Sequence, residues 1–273
     1  MHLRLFVTLL LATLLAQAIF ALFPGLDLRI SGLFFDTSGV FAANLGPLPL
    51  LNDLIRTGGE GLALAIVLGV AVALPGQSLR TPQMRCAAYL AANLVLAPGL
   101  LVNALLKSHV GRARPDQVTD FGGLATFTPA WQVSDQCARN CSFSSGDVAL
   151  IATLALGVLV LVWPHLTRTH RWLWTLGGLA LVLGTGLMRI ALGRHFLSDV
   201  VFSMLFSAAV ALALYPLFGI GAARLALRGP QVGIGAKQVW QKAAAPAMSR
   251  SRHALVNALS WAACRVRASL QPE

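Results

Sequence analysis

The chain has 273 residues, of which 56% are hydrophobic and 11% charged, and its formal net charge is +11. That balance excludes a water-soluble globule. The positive charge has no nucleic-acid-binding motif beside it, so it suits anionic lipid headgroups rather than nucleic acid.

Apolar runs fall at about 5–22, 58–75, 86–106, 147–163, 172–188 and 200–219. Each approaches the roughly 20 residues that span a bilayer core. The pattern predicts an all-α membrane protein, a bundle of six transmembrane helices over 1–222, followed by a basic tail over 223–273. The first run has a basic residue, Arg4, but Phe20-Ala-Leu-Phe-Pro24 follows it instead of a small-x-small cleavage site. It is read as a retained helix rather than a secretory signal. Between the first two runs, Leu26 to Asp36 shows apolar residues at helical intervals, which predicts a short helix lying along the membrane surface. The Gly and Pro residues of Leu45-Gly-Pro-Leu-Pro49 break it, and Glu60 shortens the clean core of the second run.

The third run contains Pro98, a kink site, and ends in a first polar island, Lys107-Ser-His-Val-Gly-Arg-Ala-Arg114-Pro115. Cations there can snorkel to lipid headgroups. Equally, arginine's planar fork and lysine's point charge suit phosphate oxygens. Residues 116–143 form a loop longer than a plain connector, as a lid or substrate-facing surface would be. Its Phe121, Phe127 and Trp131 fit either the interfacial aromatic belt or headgroup contact. Cys137 and Cys141 lie in this loop, where an oxidising compartment would permit a disulfide. No further Cys or His completes a zinc set there. Cys86 and Cys264 read as free thiols.

A second island, Asn140-Cys-Ser-Phe-Ser-Ser145-Gly146-Asp147, precedes the fourth run. Ser144 or Ser145 is a good N-cap, and beside Gly146 the free N–H groups of a helix start could approach a phosphate. His165 and His170 fall in the next turn and read as solvated loop residues. The third island, Arg189-Ile-Ala-Leu-Gly-Arg-His195-Phe-Leu-Ser-Asp199, separates the fifth and sixth runs. On a helix, four-residue spacing puts His195 and Asp199 on one face. The carboxylate could then orient one ring nitrogen while the other faces outward. Arg189 and Arg194 add charge beside the pair. In the tail, Met248 to Leu270 mixes Arg with Leu, Val and Trp261, which predicts a surface-lying amphipathic helix.

The stretches around Arg80 and Arg85, around Arg168 and Arg171, and after residue 220 hold twelve Lys/Arg, and their only acid is Glu273. The positive-inside rule therefore places both termini in the cytoplasm and all three islands on the opposite side.

Together the three islands resemble the type-2 phosphatidic acid phosphatase superfamily of lipid phosphatases, whose pattern is Lys-x6-Arg-Pro, Pro-Ser-Gly-His and Ser-Arg-x5-His-x3-Asp. Here Lys107, Arg114 and Pro115 complete the first motif. The second reads Ser144-Ser145-Gly146-Asp147, and the third begins with Met188 in place of Ser. The resemblance implies that His195 is a nucleophile forming a phosphohistidine and that Asp199 orients it. It further implies that Lys107, Arg114, Arg189 and the Ser145 and Gly146 amides hold the phosphate, with no metal or other cofactor. Asp147 stands where the family has a histidine resembling a general acid. It is either a protonated acid beside the bound dianion or a first-turn acid that serves the helix dipole.

The Asn-Cys-Ser-Phe-x-Ser-Gly-acid run looks like the lipid A 4′-phosphatase branch of Gram-negative bacteria. The implied substrate is therefore lipid A 4′-phosphate, at the periplasmic face of the inner membrane. Undecaprenyl diphosphate, phosphatidylglycerophosphate and phosphatidate are the alternatives within the superfamily. A catalytically silent phospholipid-binding or lipid-moving protein is the alternative of another class. The family's soluble haloperoxidase cousins are disfavoured by six spans, and a transporter by charges that sit at helix mouths.

Overall fold

A computed structural model describes residues 2–76 and 79–227. Among them are six helices long and apolar enough to cross a membrane, as the hydropathy pattern predicts. They are α1 (His2–Leu22), α3 (Leu48–Ala73), α4 (Pro82–Leu94), α6 (Gly146–Val162), α7 (Arg168–Ala191) and α8 (Leu197–Leu217). The span that starts with α4 continues through a π-helical stretch, Val95–Leu106, into a last turn, α5 (Lys107–His109). Two short helices, α2 (Gly25–Gly32) and α9 (Ile220–Ala223), follow α1 and α8.

Local chemistry accounts for the helix boundaries. Thr81 and Thr167 cap α4 and α7 by accepting the N–H groups of Met84 and His170, each at 3.4 Å. Such caps satisfy donors that the helix itself cannot pair. The α3 helix starts ten residues ahead of its apolar run, because Pro49 fits a first turn where its missing N–H costs nothing. Asn52, Asp53, Arg56 and Glu60 consequently belong to the helix. Pro98 shifts the third span into π geometry rather than a simple kink, a common response to a missing backbone donor.

The α6 helix occupies the centre, with α8, α7 and the α4–α5 span packed around it. Its contact with α8 uses small polar residues. Ser203 Oγ donates to the Ser145 carbonyl at 2.8 Å, and Ser207 Oγ donates to that of Ala149 at 3.1 Å. Hydroxyls used in this way hold membrane helices together where apolar burial cannot. Lipid-facing leucines cover the outside: Leu11 and Leu14 of α1 and Leu176 of α7 are all more than half exposed.

Two expectations change at the island end of the bundle. The predicted surface helix exists as α2, but Asp27 and Ser31 on it are buried against the bundle, 1% and 0% exposed. A buried cation draws Asp27 inward, as described below. The long loop after α5 folds over the helix ends, and its aromatics anchor it there. Phe127 packs on Phe196 at 5.2 Å and Phe121 on Phe41 at 5.4 Å, while Trp131 lies 4.9 Å from Phe143. Edge-on aromatic contacts of this kind stabilise beyond area alone.

Cys137 and Cys141 form a disulfide within the loop, and Cys86 is a buried free thiol. At the opposite end His165 and His170, read as loop residues, are both exposed, but His165 closes a short 3-10 turn and His170 falls in the first turn of α7. They bond to the Arg224 carbonyl at 2.8 Å and to Thr167 at 2.7 Å. The tail from 228 onward, including the amphipathic segment 248–270 and Cys264, lies outside the described residues.

Candidate active site

His195 sits in the turn between α7 and α8, not on a helix. Gly193 makes that turn possible with φ +68°, and a Cβ there would meet the Phe41 ring at 2.5 Å. The α8 helix then starts after Phe196, and Asp199 in its first turn accepts the Phe196 N–H at 2.8 Å. The four-residue spacing thus works through the capping of α8, which folds the carboxylate back toward His195. It does not work through a shared helical face.

Nδ1 of His195 lies 2.8 Å from the Ser142 carbonyl and 3.6 Å from Asp199 Oδ2. A carbonyl only accepts, so Nδ1 carries the proton and Nε2 bears the lone pair. Nε2 is buried and finds no hydrogen-bond partner among the described residues. Burial lowers the imidazole pKa to about 4, with Lys107 and Arg189 adding to the effect while Asp199 opposes it. The ring is therefore neutral near pH 7, as a nitrogen nucleophile must be.

Asp199 is held more tightly than it holds His195. Its Oδ2 also accepts the Ser142 hydroxyl at 2.5 Å, and its Oδ1 accepts Arg112 Nη1 at 2.7 Å. Arg112 is 0% exposed. Its remaining donors reach Asp27 Oδ2 at 2.8 Å, Ser198 Oγ at 2.8 Å and the Thr128 carbonyl at 2.8 Å. The guanidinium also stacks 4.3 Å from the Phe196 ring centroid. Burying such a charge is costly unless every donor is matched, and here two carboxylates match it. Asp27 in turn accepts the Ser198 N–H at 2.8 Å, which ties α2 to the start of α8.

Of the other predicted groups, Lys107, Arg114, Gly146, Asp147 and Arg189 share with Asn140 the wall of a cavity of about 540 Å³, whereas Ser145 and His195 are fully buried and not part of that wall. Arg114 donates through Nη2 to the Asn140 carbonyl at 2.8 Å, and Lys107 Nζ lies 3.4 Å from Asn140 Oδ1. Asn140 is placed for both contacts by the loop that the Cys137–Cys141 disulfide closes. Gly146 is required by space, since a Cβ there would lie 2.6 Å from Asn103 Oδ1 and 3.2 Å from Lys107 Nζ. Arg189 donates to Asn52 Oδ1 at 3.1 Å and pairs with Asp147 Oδ2 at 3.1 Å. Asp147 is thus the counter-ion of Arg189 here, an arrangement distinct from both sequence-based alternatives.

Ser145 occupies the N-cap position of α6, but neither serine caps in the expected way. The Ser145 amide donates to the Asp199 carbonyl at 3.4 Å, and the Ser144 and Ser145 hydroxyls are buried without partners among the described residues. Free donors at this point are therefore hydroxyls and the first amides of α6. Arg194, expected beside His195, pairs with Asp116 at 3.1 Å on the exposed rim.

Sequence reasoning overlooked Arg112, Asp27, Ser142, Asn52 and the structural use of Asn140. Arg112 lies inside the first island and could have been singled out, because a third cation in eight residues needs a partner. Asp27 and Asn52 gave no such signal, since only the tertiary fold brings α2 and α3 to the site.

Comparison with known proteins agrees with this geometry. The PAP2 superfamily profile matches residues 87–221, which span all three islands. The lipid A 4′-phosphatase of Francisella tularensis subsp. novicida is 31% identical over 193 residues, covering 70% of this chain and 85% of its own. The lipid A 4′-phosphatase of Rhizobium leguminosarum is 32% identical over 219 residues, covering 73% and 90%. A lipid A 1-phosphatase of Rhizobium etli is 33% identical over a shorter stretch of 119 residues, 44% of each chain. No solved structure matches.

The burial of His195 is expected to show in its own titration. Nitrogen-15 NMR of histidine-labelled protein should find one ring that stays neutral, protonated at Nδ1, down to about pH 4. The folded value lies below the unfolded one, so acidification from about pH 6.5 to 4 should also remove stability. A His195 resonance titrating near 6.5 would contradict the described environment.

Proposed function

The chain belongs to the PAP2 superfamily and is a membrane lipid phosphatase of the phosphoric monoester hydrolase class; from that premise we propose that it removes the 4′-phosphate of lipid A through a phosphohistidine on His195. The observation that carries the chemistry is the buried, partnerless Nε2 of a neutral imidazole whose Nδ1 proton is fixed by the Ser142 carbonyl. The choice of substrate is supported by two lipid A 4′-phosphatases whose similarity to this chain covers most of their length.

The substrate dianion enters the cavity and takes the place of Asp147 on Arg189. Lys107, Arg114, the Ser145 hydroxyl and the first N–H groups of α6 hold its remaining oxygens. Nε2 attacks phosphorus and the bond to the sugar oxygen breaks. The Asp147 carboxylate, freed from Arg189, takes up a proton from solvent water beside the dianion and gives that proton to the departing oxygen. Bonding at Nε2 while Nδ1 keeps its proton makes the imidazole cationic, and Asp199 stabilises that charge across 3.6 Å. Water then attacks the phosphohistidine and returns a proton to Asp147. Inorganic phosphate leaves and His195 is restored. Phosphoryl transfer of this kind depends on positioning and fixed charge, which these side chains supply.

The orientation proposed is active end outward, at the periplasmic face of the bacterial inner membrane. Arg80, Arg85, Arg168 and Arg171 flank the opposite ends of the helices, where the positive-inside rule retains them. The cation-rich islands stand on the other side because they have a ligand to bind.

Phosphate release by purified protein should separate the substrates. Lipid A is expected to lose its 4′-phosphate faster than undecaprenyl diphosphate, phosphatidylglycerophosphate or phosphatidate are hydrolysed. His195→Ala should lose on the order of 10³-fold or more in kcat. A His195→Ala protein with retained turnover would remove the covalent route. Asp147→Asn should cost about 100-fold on lipid A, yet under tenfold on an aryl phosphate whose leaving group needs no proton. Equal losses on both would deny Asp147 the role of acid.

A further inference from the structure

Below the phosphate-binding groups, the same cavity runs on between α3 and the π-helical stretch, and its chemistry changes with depth. The cations Lys107, Arg114 and Arg189 stand at its outer end, and Leu64, Val67 and Leu94 at its inner end. Between them lies Glu60, the only carboxylate on the described wall besides Asp147. It follows Asn52, the partner of Arg189, by eight residues on α3, about 12 Å along the helix axis at 1.5 Å per residue. That places Glu60 within the Leu48–Gly76 span, where an ionisable side chain is retained only for a purpose.

No protein group among the described residues satisfies this carboxylate. Arg56, one turn above, turns instead to Asp53 at 3.5 Å, and Glu60, an exposed side chain on the cavity wall, has no ion pair or hydrogen bond among the described residues. Pro98 and Gly99, on the same wall, have no side-chain donor, and Asn103, which has one, lies against Gly146. A phosphate would be repelled at this position, whereas a neutral N–H or O–H would find a charged acceptor there.

Resting on the lipid-phosphatase reading, we propose that Glu60 selects lipids with amide N–H or hydroxyl donors on the backbone directly beneath the phosphate. It selects against glycerophospholipids, whose ester linkages offer no donor at that depth. The order of groups down the cavity, cation then acceptor then apolar wall, matches a molecule ordered as anion, donor and acyl chain. Glu60 is on this view a specificity residue and takes no part in the bond-breaking steps.

Two lipids isolate the point, because both are primary-alkyl phosphomonoesters. Ceramide 1-phosphate carries an amide N–H and a hydroxyl beneath the phosphate, and phosphatidate carries neither. In detergent micelles with matched chains, the wild-type protein is expected to favour ceramide 1-phosphate by about tenfold in kcat/KM, the order expected for one hydrogen bond to a charged acceptor. Most of the difference should lie in KM. Glu60→Leu should bring the ratio near one by losing the ceramide advantage, and its retained phosphatidate turnover would show that the protein is folded. Glu60→Gln, which keeps an acceptor oxygen, should retain part of the preference.

The inference is overturned by a wild-type ratio near one, by a ratio unchanged in Glu60→Leu, or by equal losses on both lipids. Wild-type protein that acts on lipid A but on neither short lipid would also overturn it, leaving the lipid A assignment intact. A Glu60-dependent ceramide preference without lipid A turnover would do the reverse.

Discussion

The site depends on one buried guanidinium. Arg112 lies between Asp27 and Asp199, with no exposed surface, and each of those carboxylates fixes a different element. Through Asp199 it sets the start of α8 and the surroundings of His195. Through Asp27 it pulls the α2 helix down onto the bundle. Removing Arg112 would leave two carboxylates without their cation in a dry interior, a far larger cost than losing a surface pair. The protein thus converts an electrostatic necessity into positional accuracy, and His195 inherits that accuracy through the Ser142 carbonyl and the Asp199 carboxylate.

The cavity wall uses charge differently. Its cations are kept only partly neutralised: Lys107 and Arg114 lean on Asn140, a neutral acceptor, while Arg189 is shared between Asn52 and Asp147. A neutral partner is easier to outcompete than a carboxylate, so an arriving dianion meets donors already aimed and weakly engaged. Under the proposed mechanism the Arg189–Asp147 ion pair on that wall would link phosphate capture to the release of a carboxyl group beside the leaving oxygen. In this way the replacement of the family histidine by Asp147 gains a physical rationale that the motif alone did not supply.

Much of this was legible in the amino-acid order. Six apolar runs foretold six spans, and the three islands, unspecific singly, foretold which helix ends would meet once they were matched together to one family's motif pattern. What escaped notice was whatever depends on tertiary proximity. Asp27 looked like a surface acid because nothing local to it reveals a cation 85 residues away. The upper half of α3 looked like loop because polar residues facing a cavity break the apolar window that marks a span. The spacing of His195 and Asp199 was informative, yet a helical face was the wrong reason for it. The turn at Gly193 and the capping of α8 bring the pair together.

Central to the account is that a phosphoryl group bonds to His195 while displacing Asp147 from Arg189. A structure of the protein with vanadate, which adopts the geometry of a phosphoryl group in transfer, tests both parts at once. The expected result is a vanadium–Nε2 bond at His195, with Lys107, Arg114 and Arg189 on the oxyanion and Asp147 turned toward the apical oxygen. Vanadate bonded elsewhere, or bound with the Arg189–Asp147 pair still closed, would contradict it.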